Sequence, residues 1–209
     1  MVNQFDDFDT GGGGSEGPWL QWSARGTLDA EIPPKSFLIR DAAGKTAFAG
    51  FTGAGVVLDI ANMQTGWCHS EGTPGVAPEW RMNKSVSRFE PAPGDEYKKG
   101  FKMRVALGQG KTADWEQAGA AVWGAFCGMV AAFKSQPPGD MLPLVKMTGT
   151  KLQQFKRGST VEPTLEVSKW VPRPDCLKPD AVRVATDPAP HPAAQPAPVS
   201  AIIPADSEF

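Results

Sequence analysis

The run Thr112-Ala-Asp-Trp-Glu-Gln-Ala-Gly-Ala-Ala-Val-Trp-Gly-Ala-Phe-Cys-Gly-Met-Val-Ala-Ala-Phe-Lys134 decides how this chain is read. Apolar residues recur at Trp115, Ala118, Val122, Trp123, Phe126, Met129, Val130 and Phe133, the three-then-four spacing of a single helical stripe. Thr112 stands where it can cap the first turn, Asp114 and Glu116 stand where the helix dipole favours negative charge, and Gln136-Pro-Pro-Gly139 ends the run. Gly119, Gly124 and Gly128 each cost a helix about 1 kcal/mol relative to alanine, so packing of the stripe must hold it. The spacing predicts one helix over 112–134. A lone amphipathic helix has to bury its stripe against something, and the flanking segments alternate like strands. The expected fold is therefore mainly β, with one amphipathic helix laid against a sheet.

Immediately upstream, Lys98-Lys-Gly-Phe-Lys-Met-Arg-Val-Ala-Leu107 alternates, with Phe101, Met103, Val105 and Leu107 on one face and Lys102 and Arg104 on the other. Further back, 36–41 and 45–51 form a predicted hairpin around Ala42-Ala-Gly44, and Gly55-Val-Val-Leu-Asp-Ile60 is another apolar, β-branched run. Trp19 and Trp22 are three apart, so in an extended segment they face opposite sides, one suited to the core and the other to the surface. Residues 61–97, turn-rich around Glu71-Gly-Thr-Pro-Gly75, fit either a long hairpin loop or two short strands. Downstream, 141–147 and 163–171 read as strands joined by the basic stretch Lys151-Leu-Gln-Gln-Phe-Lys-Arg-Gly158.

The ends differ from the body. Residues 1–16 carry Phe5-Asp-Asp-Phe-Asp9 and a glycine run, with four acids and no base; from Pro172 onward proline and alanine dominate, a composition that cannot build a core. Residues 175–209 hold five acids and two bases, whereas 17–174 hold nineteen bases and fourteen acids. A mildly basic body between acidic tails is either ordinary surface variation or a polyanion-binding body. No run of eighteen apolar residues occurs, and Met1-Val-Asn-Gln-Phe-Asp-Asp lacks the order of a signal peptide, which predicts a soluble, cytoplasmic protein. Cys68, Cys127 and Cys176 are odd in number and scattered, which argues against a disulfide framework.

Most chemistry-bearing motifs have dull readings. Gly108-Gln-Gly-Lys-Thr112 resembles the end of a P-loop, but Val105 stands where that motif needs its first glycine. Cys68-His69 lacks a nearby ligand pair of zinc-site spacing, and neither His69 nor His191 adjoins a nucleophile motif. No metal, cofactor or catalysis is expected. What recurs is aromatic residues interleaved with bases. Unpaired bases present π faces to rings and phosphates to cations, so single-strand recognition needs this combination. Taken singly, each ring is better explained as core; the set points to Trp22, Trp80 and Phe155 for stacking. Arg40, Arg81, Lys84, Lys102, Arg104, Lys156 and Arg157 are the expected phosphate contacts.

The order of elements over 18–171, several strands, one helix and two final strands, resembles the OB barrel of single-stranded DNA-binding proteins of bacteria and their viruses. The ending Asp206-Ser-Glu-Phe209 is similar to the acidic, phenylalanine-terminated tip of those proteins. Trp19-Leu-Gln-Trp22, Ile32-Pro-Pro-Lys-Ser-Phe37 and Val167-Ser-Lys-Trp-Val-Pro-Arg-Pro174 resemble segments of small phage or prophage members. The resemblance implies an OB-like barrel over 18–174 between disordered tails, 1–17 and 175–209. It implies sequence-independent binding of single-stranded DNA in phage or prophage replication, recombination or repair, in the host cytoplasm. Asp206, Glu208 and Phe209 would contact replication or recombination proteins, and a homo-oligomer would be compatible. The other expectation is a phage interaction or structural protein whose β domain binds a protein partner.

Overall fold

The computed structural model describes residues 17–27, 31–71, 78–86, 88–135, 139–155 and 158–178. In chain order the elements are β1 (Trp19–Ser23), β2 (Ser36–Asp41), β3 (Gly44–Phe48), β4 (Val56–Leu58), β5 (Gln64–His69), β6 (Glu79–Met82), β7 (Lys98–Gly108), β8 (Lys111–Ala118), α1 (Ala120–Phe133), β9 (Met141–Phe155) and β10 (Gly158–Pro172). One sheet contains all ten strands, ordered β10-β9-β4-β7-β8-β1-β2-β3, with β5 and β6 branching from β7. Among the described residues the protein is mainly β with one helix, its sheet curled into an open half-barrel with which the expected OB-like architecture is compatible. β7 organises it: one edge pairs with β8, while the other pairs with β5 over 98–102 and with β4 over 105–106.

The predicted alternation of β7 holds. Phe101, Met103 and Val105 are buried, and Lys102 and Arg104 face the other way. The predicted helix is shorter than expected, because its first third is β8. Ala113 and Trp115 are buried on the inner face, while Asp114 and Glu116 lie opposite Arg104 and Lys102 on the outer face. Period two therefore wins over 111–118, since β7 supplies cross-strand cations that a helix would have left without these partners. Thr112 sits opposite Ala106 in the ladder and caps nothing. The chain turns at Gly119, φ 100°, and α1 then buries Val122, Ala125, Phe126 and Met129.

The predicted hairpin of β2 and β3 forms, and residues 61–97 supply two short strands, with 66–69 pairing with 79–82. Gln109 and Gly110, with φ of 52° and 74°, make the tight turn between β7 and β8, so the glycines of the P-loop-like stretch serve a turn. Of the stretch 151–158, expected as a connection, residues 151–155 and 158 are instead strand, in β9 and β10, which pair antiparallel and are fifteen residues each. The folded unit also runs past the expected boundary at 174. A 3-10 turn at Asp175–Leu177 buries Leu177 against Val57, Ala106 and Leu142. The acidic N-terminal peptide, Lys156, Arg157 and the tip residues Asp206, Glu208 and Phe209 lie outside the described residues.

The core is largely aromatic. Phe101 of β7 and Phe126 of α1 stack with centroids 4.2 Å apart, and Trp115 meets Phe101, Phe37 and Phe51 edge-on. Trp22, expected to stack on a base, is 2% exposed in this cluster. Its position follows from Leu20, which shares its face of β1 and is equally buried. The indole Nε1 of Trp22 donates to the Val161 carbonyl of β10 at 3.0 Å, joining elements near opposite ends of the strand order.

The parallel pairing of β1 with β8 stops after Leu20. Gln117 continues it with a side chain: its Oε1 accepts from the Trp22 backbone N–H and its Nε2 donates to the Trp22 carbonyl, both at 2.9 Å. The same Oε1 accepts from Trp115 Nε1 at 3.1 Å. At the opposite side of the fold, Arg173 bonds Asp59 at 2.8 Å and Asp140 at 2.8 Å, fixing the exit of β10 to the loop after β4. Gln117→Leu should therefore lower unfolding free energy by about 1–3 kcal/mol, the cost of stranding buried backbone groups. Urea titration beside Gln154→Leu on the exposed hairpin, which should be near neutral, checks this.

Candidate nucleic-acid interface

Ladder register determines which side chains share the outer face. Cross-strand partners point the same way, so Trp80 (β6), Cys68 (β5) and Lys98 (β7) are aligned, as are Lys102 with Glu116 and Arg104 with Asp114. Continuing from β8 through β1 and β2 to β3, the row passes from Asp114 to Trp19, Arg40 and Lys45. Five bases, two tryptophans and two acids thus lie on one face. The main aromatic core occupies the other face of the same strands, while Ala106, further along β7 on the outer face, packs with Val57, Leu142 and Leu177.

Trp80 is half-buried, and Gly100 explains how it lies. A Cβ at position 100 would stand 2.8 Å from two atoms of the Trp80 ring, so only a bare backbone lets the indole settle there. The Lys102 ammonium sits 4.8 Å from the ring centroid and also bonds Glu116 at 2.7 Å. Arg104 pairs with Asp114 at 3.4 Å. These outward bases therefore lie in a ladder of alternating charge, half-shielded by their own acids. Their field is weaker than a count of cations suggests. Arg40 lies beyond that ladder, directly opposite Trp19.

The remaining expected contacts do not join this row. Arg81 faces the other side of β6, where it bonds Glu79 at 2.6 Å, and the Tyr97 hydroxyl donates to the second Glu79 oxygen at 2.6 Å. Those two donors, Tyr97 first and then Arg81, hold the Glu79 carboxyl below its usual range. Lys84 is exposed just after β6. Phe155, 49% exposed, ends β9, and Leu152 on the same strand is 61% exposed. The outer row also contains Trp19, Lys45 and Lys98, which the sequence reading did not select. The signal for Trp19 was its parity, opposite to that of Leu20.

A second basic-aromatic group lies on the inner side of β5. Lys99 Nζ stands 5.8 Å from the Trp67 centroid and 5.1 Å from that of Phe89, and Phe89 in turn meets Trp123 of α1 edge-on at 5.2 Å. Trp67 Nε1 donates to the Glu90 carbonyl at 2.9 Å. The group anchors the segment after β6 to the helix, a structural task that accounts for these rings without a ligand.

Cys68 lies beneath the outer face, 7% exposed, and burial pushes its thiol up to about 11 against the opposing pull of Lys102 and Lys98. A thiol held protonated is a poor metal ligand or nucleophile. Among the described residues no group of three or more His, Cys, Asp or Glu side chains is arranged to hold a metal ion. Also among them, no helix is long and apolar enough to cross a membrane. No protein-family model, curated protein or solved structure matches the chain.

Two outcomes follow for Cys68. At pH 8 a thiol reagent should reach it only after denaturation, whereas exposed Cys127 reacts in the folded protein. Above the ordinary thiol pKa of 9.0 the unfolded chain ionises first, so stability should fall as pH rises from 9.0 towards about 11. The fall should be shallower in Cys68→Ala, as measured by urea midpoints across that range.

Proposed function

We propose that the protein binds single-stranded DNA without sequence preference, through the outer face of the sheet, in DNA replication, recombination or repair. The observation that carries this reading is the row of Trp80, Lys98, Lys102, Arg104, Trp19, Arg40 and Lys45 that register brings onto one face. Two indoles separated by cations match a ligand that alternates flat bases with phosphates. Stacking on a ring face reads no base edge, hence the absence of sequence preference. The cross-strand acids temper the electrostatic term, which favours a strand whose bases can stack over a duplex whose bases are hidden. The last hairpin agrees with the same reading, since OB barrels border their ligand face with the loop between their final two strands. Phe155 ends the first strand of that hairpin, and Asp206, Glu208 and Phe209 would recruit replication or recombination proteins.

A second reading, a β domain that docks a protein partner, gains from the pairing of Lys102 and Arg104 with Glu116 and Asp114. An alternating charge ladder complements another protein as readily as a phosphate backbone.

Titration of a labelled oligothymidine of about thirty nucleotides, at low and moderate salt and beside a duplex of equal length, separates the two. Trp80→Ala and Trp19→Ala should each weaken single-strand binding by about 1–3 kcal/mol. Affinity should fall by roughly 0.7 log units per phosphate contacted for each tenfold rise in salt. Lys45→Gln should flatten that slope. Wild-type protein that ignores the oligonucleotide at low salt would refute the DNA reading and leave the protein-docking one.

A further inference from the structure

At Lys102 a cation, an acid and a ring of the outer face meet. Its ammonium lies 4.8 Å from the Trp80 centroid and 2.7 Å from the Glu116 carboxylate, and the Lys102 and Glu116 side chains are only 27% and 25% exposed. The ladder fixes the arrangement, since residue 102 of β7 stands directly opposite residue 116 of β8, and the bare backbone of Gly100 lets the Trp80 indole lie alongside. Carboxylate and ring both draw the ammonium down towards the sheet rather than out into solvent. Arg104 and Asp114, 3.4 Å apart, form the looser pair of the same ladder.

We propose that Glu116 is the specificity-determining residue of this face: by holding Lys102 down beside Trp80, it leaves the cation available to a single strand and withholds it from a duplex. The inference rests on the single-strand reading above and names what makes that face selective. A strand that lays a base on Trp80 brings its own phosphate beside the ring, within reach of the lowered ammonium, and its free backbone torsions turn neighbouring phosphates away from the carboxylate. A duplex has its bases turned inward and its phosphates fixed, one per about 1.7 Å of axis. It therefore meets the Glu116 charge with no stacking in return. Discrimination of this kind comes from a repulsive group as much as from an attractive one.

Glu116→Gln in the full chain keeps the shape of the side chain and removes its charge. At about 0.1 M salt its affinity for a labelled duplex of about thirty base pairs should rise about tenfold, the effect of one freed cation, with a salt slope steeper by roughly 0.9 log units per tenfold change in salt. Affinity for oligothymidine of equal length should change far less, so the preference for single strands narrows. Adding Lys102→Gln should cancel the duplex gain, which a general loosening of the fold would not do. Glu90→Gln, which alters net charge equally at an exposed site outside the row, should leave the preference as in the wild type. Far-ultraviolet circular dichroism and urea midpoints close to the parent's would show that each variant is folded. Duplex affinity in Glu116→Gln that rises no more than single-strand affinity, or a gain that survives Lys102→Gln, would overturn the inference while wild-type binding of oligothymidine upholds the single-strand reading. Wild-type protein that binds neither form would remove both.

Discussion

The curl of this sheet depends on a side chain standing in for a strand. Parallel pairing of β1 to β8 lasts only to Leu20, and then Gln117 takes both backbone groups of Trp22 with one amide. Because that amide also receives the Trp115 indole N–H, the two largest rings near the closure are oriented by the same group. Trp22 is then turned so that its own indole N–H reaches Val161 across the gap. A half-barrel without strand pairing between its ends is thus held by hydrogen bonds that are individually modest. Each satisfies a group whose burial would otherwise be unfavourable.

The same closure accounts for the separation of roles between the two tryptophans of β1. With Leu20 and Trp22 committed to the aromatic core, Trp19 has to emerge on the opposite face, opposite Arg40. Stability and the proposed binding role are consequently carried by alternate residues of a five-residue strand. Substitutions at even positions of β1 disturb the core, while those at odd positions alter what the outer face can hold.

The sequence revealed the alternation of β7, the β2–β3 hairpin and the mainly β class, because in each the apolar face matched the element's own period. It misled over 112–118, where Trp115 and Ala118 fit a helical stripe as well as Ala113 and Trp115 fit a strand. The deciding information was non-local: Arg104 and Lys102 stand opposite Asp114 and Glu116 only once β7 and β8 are in register. The end of the last hairpin was read as a connection because it lies beyond the core and has no buried face to impose an alternating pattern. Lys102 and Arg104 were recognisable as outward bases, but their acidic partners were not, and neither was the position of Trp80 over Gly100. Such contacts join residues whose proximity arises only after the sheet is assembled.

The outer edge of β10 has a further consequence. Among the described strands it pairs only with β9, which leaves a fifteen-residue edge of the kind that recruits other chains backbone to backbone. Pro163 removes a donor midway, irregular register at Thr164/Leu165 and Val167/Lys169 bends the line of remaining donors, and Lys169 adds a charge. An incoming extended peptide would meet an interrupted template rather than a continuous one. The edge of β10 thus has little tendency to nucleate fibrils, and recognition along it falls to side chains.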